Sequence, residues 1–318
     1  MLKIQDFGLV EILGTGAFGK VHLARLKDSS GSMFAVKILD FRKLLKQRLA
    51  NQLENEVSIL KLLSGSPFVA KLFSTDFCGG KICLILEYVS GGELFYWLKK
   101  YRRFSEEITR FYAAEIIFAL KFIHGRGILY RDLKPENVLI ASTGHIKIID
   151  FGFAVYESES TYVISGTPEY MSPEKLTGES DGRESDYWGL GIMIYEMLCG
   201  NPPFYDVSTD VIFRKILECR VSFPPCISST AKDLITSLLE KNRANRLGFG
   251  GIEEIMNHPF FASLSWSDVG NRRLKPPIIP KPFKDINSHS DTDNGSEADI
   301  SSIRPYRHLK FFQEHGKE

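Results

Sequence analysis

Only five of the 318 residues are cysteines, and Cys78, Cys83, Cys199, Cys219 and Cys226 show no metal-ligand spacing. They read as reduced thiols, which argues against a disulfide-stapled secreted domain. An excess of one charge is also missing. Forty lysines and arginines against 39 aspartates and glutamates leave a formal charge of +1, with no general pull toward nucleic acid or a membrane surface. No apolar run reaches membrane-spanning length, so membrane insertion is not expected. The opening Met1-Leu2-Lys3 lacks the apolar core of a signal peptide and the glycine needed for myristoylation. A cytoplasmic or nuclear location is the expectation. The 43% apolar and 25% charged composition is ordinary for a globular chain, and the length suffices for two lobes.

What is present is a dense set of polar residues. Tyr130-Arg131-Asp132-Leu133-Lys134-Pro135-Glu136-Asn137 is followed thirteen residues later by Asp150-Phe151-Gly152. Two carboxylates, an amide, a lysine and an arginine in so short a span can hold metal ions on a phosphate chain and orient a hydroxyl. Upstream, Gly14-Thr15-Gly16-Ala17-Phe18-Gly19 joins two strand-like runs, Val10–Leu13 and Val21–Ala24, and a turn at Asp28–Ser32 leads to a third, Met33–Leu39. Glycines there let backbone amides approach phosphate oxygens. A dinucleotide-binding loop would run into a helix; here β-branched Val21 and a second strand follow. Residues 42–63 are predicted as one helix, with Leu49, Leu53, Leu60 and Leu63 on a stripe that also carries Glu56, whereas Glu54 points off it. A carboxylate on an apolar face needs a cation, and Lys37 is the obvious partner.

On these motifs the chain resembles a eukaryotic protein kinase. The resemblance implies an α+β, bilobal fold: a mainly β small lobe (7–86) with one regulatory helix, a hinge (87–92) and a mainly α large lobe (93–260). A short lead (1–6) precedes it, and a C-terminal tail (261–318), partly disordered near 285–302, follows. Within the large lobe, Ser105-Glu106-Glu107 is expected to cap one helix and Asp186 to start another that ends at Gly200. ATP and Mg2+ are the implied cofactors. ATP would lie against Gly14, Thr15, Gly16, Ala17, Phe18, Gly19, Val21, Ala35, Leu139 and a gatekeeper Leu86. The backbones of Glu87 and Val89 would bind its adenine, and Lys37 with Glu56 would hold its phosphates. Asp132 would orient the substrate hydroxyl and accept its proton, and Lys134 would neutralise charge on the γ-phosphate. Asn137 and Asp150 would ligate Mg2+. Thr167 would hydrogen-bond Asp132 and Lys134, a serine/threonine-kinase trait. The completeness of this set argues against a catalytically dead relative.

Gly166-Thr167-Pro168-Glu169-Tyr170, Pro173-Glu174, Pro202-Pro203-Phe204 and Pro277-Ile278-Ile279-Pro280 narrow the resemblance to the AGC group, near the catalytic subunits of cAMP-dependent protein kinases. That implies a buried Glu174–Arg246 ion pair. It implies acidic substrate-reading positions at Glu93, Glu136, Glu169 and Glu196, and an apolar pocket from Ile164, Pro168 and Met171. Protein or peptide substrates with upstream arginines (Arg-Arg-x-Ser/Thr-apolar) are expected, with a cAMP-binding regulatory subunit as partner; Tyr162 and Phe213 fall where the family offers aromatic docking surface. Another AGC kinase not controlled by cAMP, or an ATP-binding scaffold of low activity, are the alternatives.

The chain also departs from the family. Val163 stands where the usual phosphothreonine would be. Two of that phosphate's usual partners are replaced by Gln52 and Val155; the third, Arg131, is kept. Either Glu157 or Glu159 satisfies Arg131 without phosphorylation, which is the favoured reading, or Thr161 or Ser165 is a displaced phosphosite. The tail lacks a recognisable aromatic-Asp-x-aromatic element and a terminal Phe-x-x-Phe; Phe311 and Phe312 are the candidate substitutes.

Overall fold

Alternation of inward and outward side chains builds the small lobe. The computed structural model describes residues 2–16, 19–160 and 166–281. Strands β1 (Phe7–Gly16), β2 (Gly19–Leu26), β3 (Met33–Asp40), β4 (Leu72–Cys78) and β5 (Lys81–Glu87) form one antiparallel sheet in the order β1-β2-β3-β5-β4. On β3, Phe34 and Val36 pack with Phe7, Ala24, Cys83 and Ile85 on one face. Ala35 turns to the other face with Leu13, Val21, Leu23 and Ala70, where Val89, Leu139 and Ile149 join from the hinge and large lobe. Two residues beyond Ala35, Lys37 shares this second face and stands opposite Val21. Gly19 is required where β2 begins: a Cβ there would come within 1.9 Å of the Ile38 carbonyl oxygen.

The single helix predicted for 42–63 is two helices. The first, α1 (Phe41–Lys46), starts at Asp40, whose carboxylate accepts from the N–H groups of Arg42 and Lys43. The second, α2, spans Ala50–Leu62. Between them Arg48 has φ 58°, which no right-handed helix accommodates, and Leu49 becomes the residue before the first turn of α2. The leucine periodicity ran through this break and hid it. On α2 the inward stripe is Leu53, Glu56, Ile59 and Leu60, while Glu54 is exposed.

The hinge is tight. A Cβ on Gly91 would lie 2.2 Å from the Ile140 carbonyl oxygen, and the Gly91 carbonyl accepts from Trp97 Nε1 at 2.7 Å. Trp97 belongs to α3 (Leu94–Tyr101). Next, α4 (Glu106–His124) starts where expected, with Ser105 Oγ accepting from the Ile108 N–H. Two ribbons, β6 (Ile128–Leu129) with β9 (Val155–Tyr156) and β7 (Val138–Ile140) with β8 (Ile146–Ile148), pin the ends of the loops that carry the polar motifs. After α5 (Pro173–Thr177) comes α6 (Arg183–Cys199), which begins three residues before Asp186, the predicted start. It is buried from Ser185 to Leu198, as its nearly all-round apolar sequence requires, and packs on α4 and α8 (Ser229–Leu238). Gly200, at φ 90°, closes it. The remaining helices are α7 (Thr209–Glu218), α9 (Ile252–Met256) and α10 (Trp266–Gly270). Beyond α10 the chain returns to the hinge: Ile278 is buried, and Pro280 Cγ would lie 2.4 Å from a Cβ on Gly91. The tail features expected at 285–302, and Phe311 and Phe312, lie outside the described residues.

Candidate active site

The site forms where the second face of the sheet meets the loops of the large lobe. Lys37 Nζ lies 2.6 Å from Glu56 Oε1 on α2 and 3.7 Å from Asp150 Oδ1. Burial works against the Lys37 charge, yet Glu56 and Asp150 outweigh it and hold its pKa above the ordinary lysine value. Glu56 is pushed upward, chiefly by burial, and its Oε2 is buried without a hydrogen-bond partner among the described residues. The lysine thus bridges two carboxylates, one from each lobe.

Asp132 is the centre of the second cluster. Lys134 Nζ donates to its Oδ1 at 3.0 Å and its Oδ2 at 2.8 Å. Asn137 Nδ2 donates to Asp132 Oδ2 at 2.6 Å and to the Asp132 carbonyl at 2.8 Å. With its nitrogen so used, the Asn137 side chain keeps its amide oxygen as an acceptor. Burial raises the Asp132 pKa despite Lys134, which makes it a stronger base than a solvated aspartate. Asp150 has φ 56°, and its Oδ1 accepts from the Gly152 N–H at 3.3 Å. Asn137 and Asp150 are linked through the backbone, the Ile149 N–H donating to the Asn137 carbonyl at 3.0 Å. Among the described residues no group of three or more His, Cys, Asp or Glu could enclose a metal. An amide oxygen and one carboxylate fit Mg2+ of the kind that takes its other ligands from phosphates and water.

The protein kinase domain family matches residues 7–261. The chain belongs to the protein kinase family. A probable cAMP-dependent protein kinase catalytic subunit from Encephalitozoon cuniculi (strain GB-M1) is 65% identical, over 98% of this chain and 97% of the relative. The cAMP-dependent protein kinase catalytic subunit PRKX of Homo sapiens is 40% identical, over 98% of this chain and 87% of the relative. The RAC serine/threonine-protein kinase of Drosophila melanogaster is also 40% identical, but over 48% of its own length. The chain is therefore a serine/threonine kinase similar to cAMP-dependent catalytic subunits, with the bilobal fold that its motifs imply.

In this kinase, five residues expected around the adenine share one apolar cluster. Val21, Ala35, Val89 and Leu139 are buried in it and Leu86 packs against it. Leu13, Leu23, Ala70 and Ile149 are buried in the same cluster, and no motif points to Leu13, Ala70 or Ile149. The Glu87 N–H donates to the Lys71 carbonyl, so a hydrogen bond from the Glu87 backbone to a ligand would be accepted by its carbonyl. Gly14, Thr15 and Gly16 end β1 and Gly19 begins β2; Ala17 and Phe18 are outside the described residues. Thr167 lines a small cavity with Asp132 and Arg131; among the described residues its hydroxyl makes no hydrogen bond to Asp132 or Lys134.

Three of the four predicted substrate-reading acids come together. Glu136 and Glu169 lie close enough to Glu196 for their charges to raise its pKa, and Glu169 acts in the same way on Glu136. Burial pushes Glu196 up to about 7; the hydrogen bond from the Tyr170 hydroxyl acts against this and the Glu136 charge adds to it. Such a nest of carboxylates needs a cation, and a guanidinium can bond two of them at once. Glu93 is buried ahead of α3 and paired through its backbone with Leu139. Met171 is buried and Pro168 half-buried; Ile164 lies outside the described residues. Phe213, on α7, packs against the core. The Glu174–Arg246 pair is as expected, with two parallel bonds of 2.7 and 2.9 Å, and Arg246 also lies over the Trp188 ring.

The expected partners of Arg131 are corrected. Glu157 is taken by Arg183, at 2.7–3.2 Å, from the exposed start of α6. Arg131 instead lies 2.8 Å from Asp181 and donates to Ser160 Oγ at 3.0 Å. Thr161, Tyr162, Val163 and Ser165 are outside the described residues. Gln52 is not simply a lost phosphate ligand either. Its Nε2 donates to the Gly152 carbonyl at 2.6 Å, and Asn55 Nδ2 donates to the Ala154 carbonyl at 3.0 Å. Two neutral amides on α2 thereby tie the Glu56 helix to the segment after Asp150. The signal was in the sequence: Gln52 precedes Glu56 by four residues, and so lies on the same side of the helix.

Proposed function

We propose that this kinase transfers the ATP γ-phosphate to serine or threonine in Arg-Arg-x-Ser/Thr-apolar sequences, and that it is a catalytic subunit controlled by a cAMP-binding regulatory subunit. The cluster of half-buried Glu136 and Glu169 with buried Glu196 carries the substrate half of this reading, because three carboxylates held so close suit a cation with several donors. The names of relatives at 65% and 40% identity support the regulatory half.

In this reading ATP enters between the apolar face of the sheet and Leu139, and Lys37, held by Glu56, faces its phosphates. Asn137 and Asp150 would hold Mg2+, which neutralises phosphate charge when bound. Asp132 would accept a hydrogen bond from the substrate hydroxyl and aim its oxygen along the line of attack, taking its proton as the new P–O bond forms and the bond from the γ-phosphorus to the bridging oxygen breaks, with ADP as the leaving group. Its raised pKa suits that late transfer. Lys134, already within 3.0 Å of both Asp132 oxygens, is the nearest cation to charge passing through that point. The test is a pair of peptides, with and without the two arginines, assayed with the purified chain. Equal kcat/KM on both would defeat the substrate assignment. Inhibition by a regulatory subunit, reversed by cAMP, would support the regulatory one; no inhibition would leave a serine/threonine kinase under other control.

A further inference from the structure

A buried charge cluster lies behind the catalytic loop, and neither the motifs nor the relatives account for it. Asp181 sits on the turn between α5 and α6, only 6% exposed. Its Oδ2 lies 2.8 Å from Arg131 Nε and 3.9 Å from Lys175 Nζ. Ser185 Oγ donates to its Oδ1 at 3.3 Å, and Ser160 Oγ donates to its carbonyl at 2.9 Å. Lys175, 4% exposed, donates to the Arg131 carbonyl at 3.3 Å.

Asp181, Lys175 and Ser160 all touch Arg131, the residue before Asp132. Arg131 has φ 69°, a left-handed conformation that costs a non-glycine residue on the order of 1–3 kcal/mol and persists only where the surroundings enforce it. Three charged groups enforce it here. Asp186 Oδ1 accepts from the Arg131 N–H at 2.7 Å, Lys175 holds its carbonyl, and Asp181 faces its guanidinium. Burying a lysine and an aspartate 3.9 Å apart is a poor route to stability, because desolvation exceeds what so long a contact returns. The pair is better understood through the residue on which both converge.

We propose that Asp181 and Lys175 are positioning residues for phosphoryl transfer: together they lock Arg131 in its left-handed conformation and so aim the Asp132 carboxylate. The proposal rests on the reading of Asp132 as the residue that receives the substrate hydroxyl. Ser160, bonded to both Arg131 and Asp181, extends the same cluster to the segment that follows Asp150.

The test compares wild type, Lys175→Met, Arg131→Leu, and Asp181→Asn alone and combined with Arg131→Leu, in steady-state assays with ATP and an Arg-Arg-x-Ser-apolar peptide. ATP affinity is measured separately by equilibrium binding. Asp181→Asn is expected to lower kcat on the order of 10- to 100-fold, the scale of a misplaced reacting group, with ATP affinity unchanged. In the Arg131→Leu background, adding Asp181→Asn is expected to cause no further loss, because both act through one residue. A wild-type kcat in Asp181→Asn, a loss confined to KM, or a full additional loss beside Arg131→Leu would each overturn the proposal. Should Asp181→Asn fail to fold, Lys175→Met, close in shape to lysine, carries the test by its own kcat and ATP affinity, and a wild-type kcat or a loss confined to KM overturns the proposal; the Arg131→Leu comparison does not apply to it, because Lys175 holds a backbone carbonyl that leucine keeps. A wild-type protein that phosphorylates no peptide would instead remove the underlying reading, and the proposal with it.

Discussion

Glu196 offers a prediction whose size follows from its surroundings. It is 3% exposed, bonded by the Tyr170 hydroxyl, and near Glu136 and Glu169. Burial, countered by that hydrogen bond and reinforced by the Glu136 charge, places its pKa at about 7. The ionised form attracts an arginine and the neutral form does not, so recognition is present above that pKa and is lost below it. A group titrating at about 7 is roughly 90% ionised at pH 8 and about 10% at pH 6. Between those limits kcat/KM for a di-arginine peptide should fall about tenfold, since kcat/KM reports groups of the free enzyme. A matched peptide without arginines corrects for titration of Asp132 and of ATP. The midpoint belongs to Glu196 as coupled to Glu136 rather than to Glu196 alone. Glu196→Gln should give a low kcat/KM on the arginine peptide with the pH step removed. A pH profile identical for the two peptides would refute the reasoning, as would an unchanged step in Glu196→Gln.

Arg246→Ala should destabilise the large lobe by about 3–5 kcal/mol in urea unfolding, because it strands the buried Glu174 carboxylate; a loss under about 1 kcal/mol would mean that the pair is solvated. Gln52→Ala removes the donor to the Gly152 carbonyl and should cost about 1 kcal/mol in stability. It should also lower kcat with ATP affinity unaffected, and a wild-type kcat would show that the contact does not hold the Glu56 helix for catalysis. Thr161→Ala and Ser165→Ala proteins made in bacteria should keep full activity, since Asp181 already faces Arg131; abolished activity in either would point to a phosphosite there.

Much of the site was legible because its chemistry depends on short spacings. Asp132, Lys134 and Asn137 lie within six residues, and the five-residue reach from Asp132 to Asn137 is closed by a side-chain bond that one loop can make alone. Lys37 and Glu56 were found because a charge on an apolar stripe demands a partner, and the strand and helix periods left one choice. What the sequence hid depends on tertiary approach. Asp181 reaches Arg131 across 50 positions and looks, in its Gly178–Gly182 setting, like an ordinary turn residue; Glu157 and Glu159 were nearer in sequence and equally charged. The break at Arg48 was invisible because Leu49 and Leu53 keep a helical interval across the start of α2. Leu13, Ala70 and Ile149 carry no chemical mark and join the apolar face proposed for the nucleotide only through the packing of the two lobes.

The most direct test of the central claim is transfer of labelled γ-phosphate from ATP, with Mg2+, to an Arg-Arg-x-Ser-apolar peptide by wild type and by Asp132→Asn. The account predicts labelled phosphoserine from wild type and a kcat lower by on the order of 100-fold or more in Asp132→Asn, whose amide cannot accept the proton. No transfer by wild type, or equal transfer by both proteins, would contradict it.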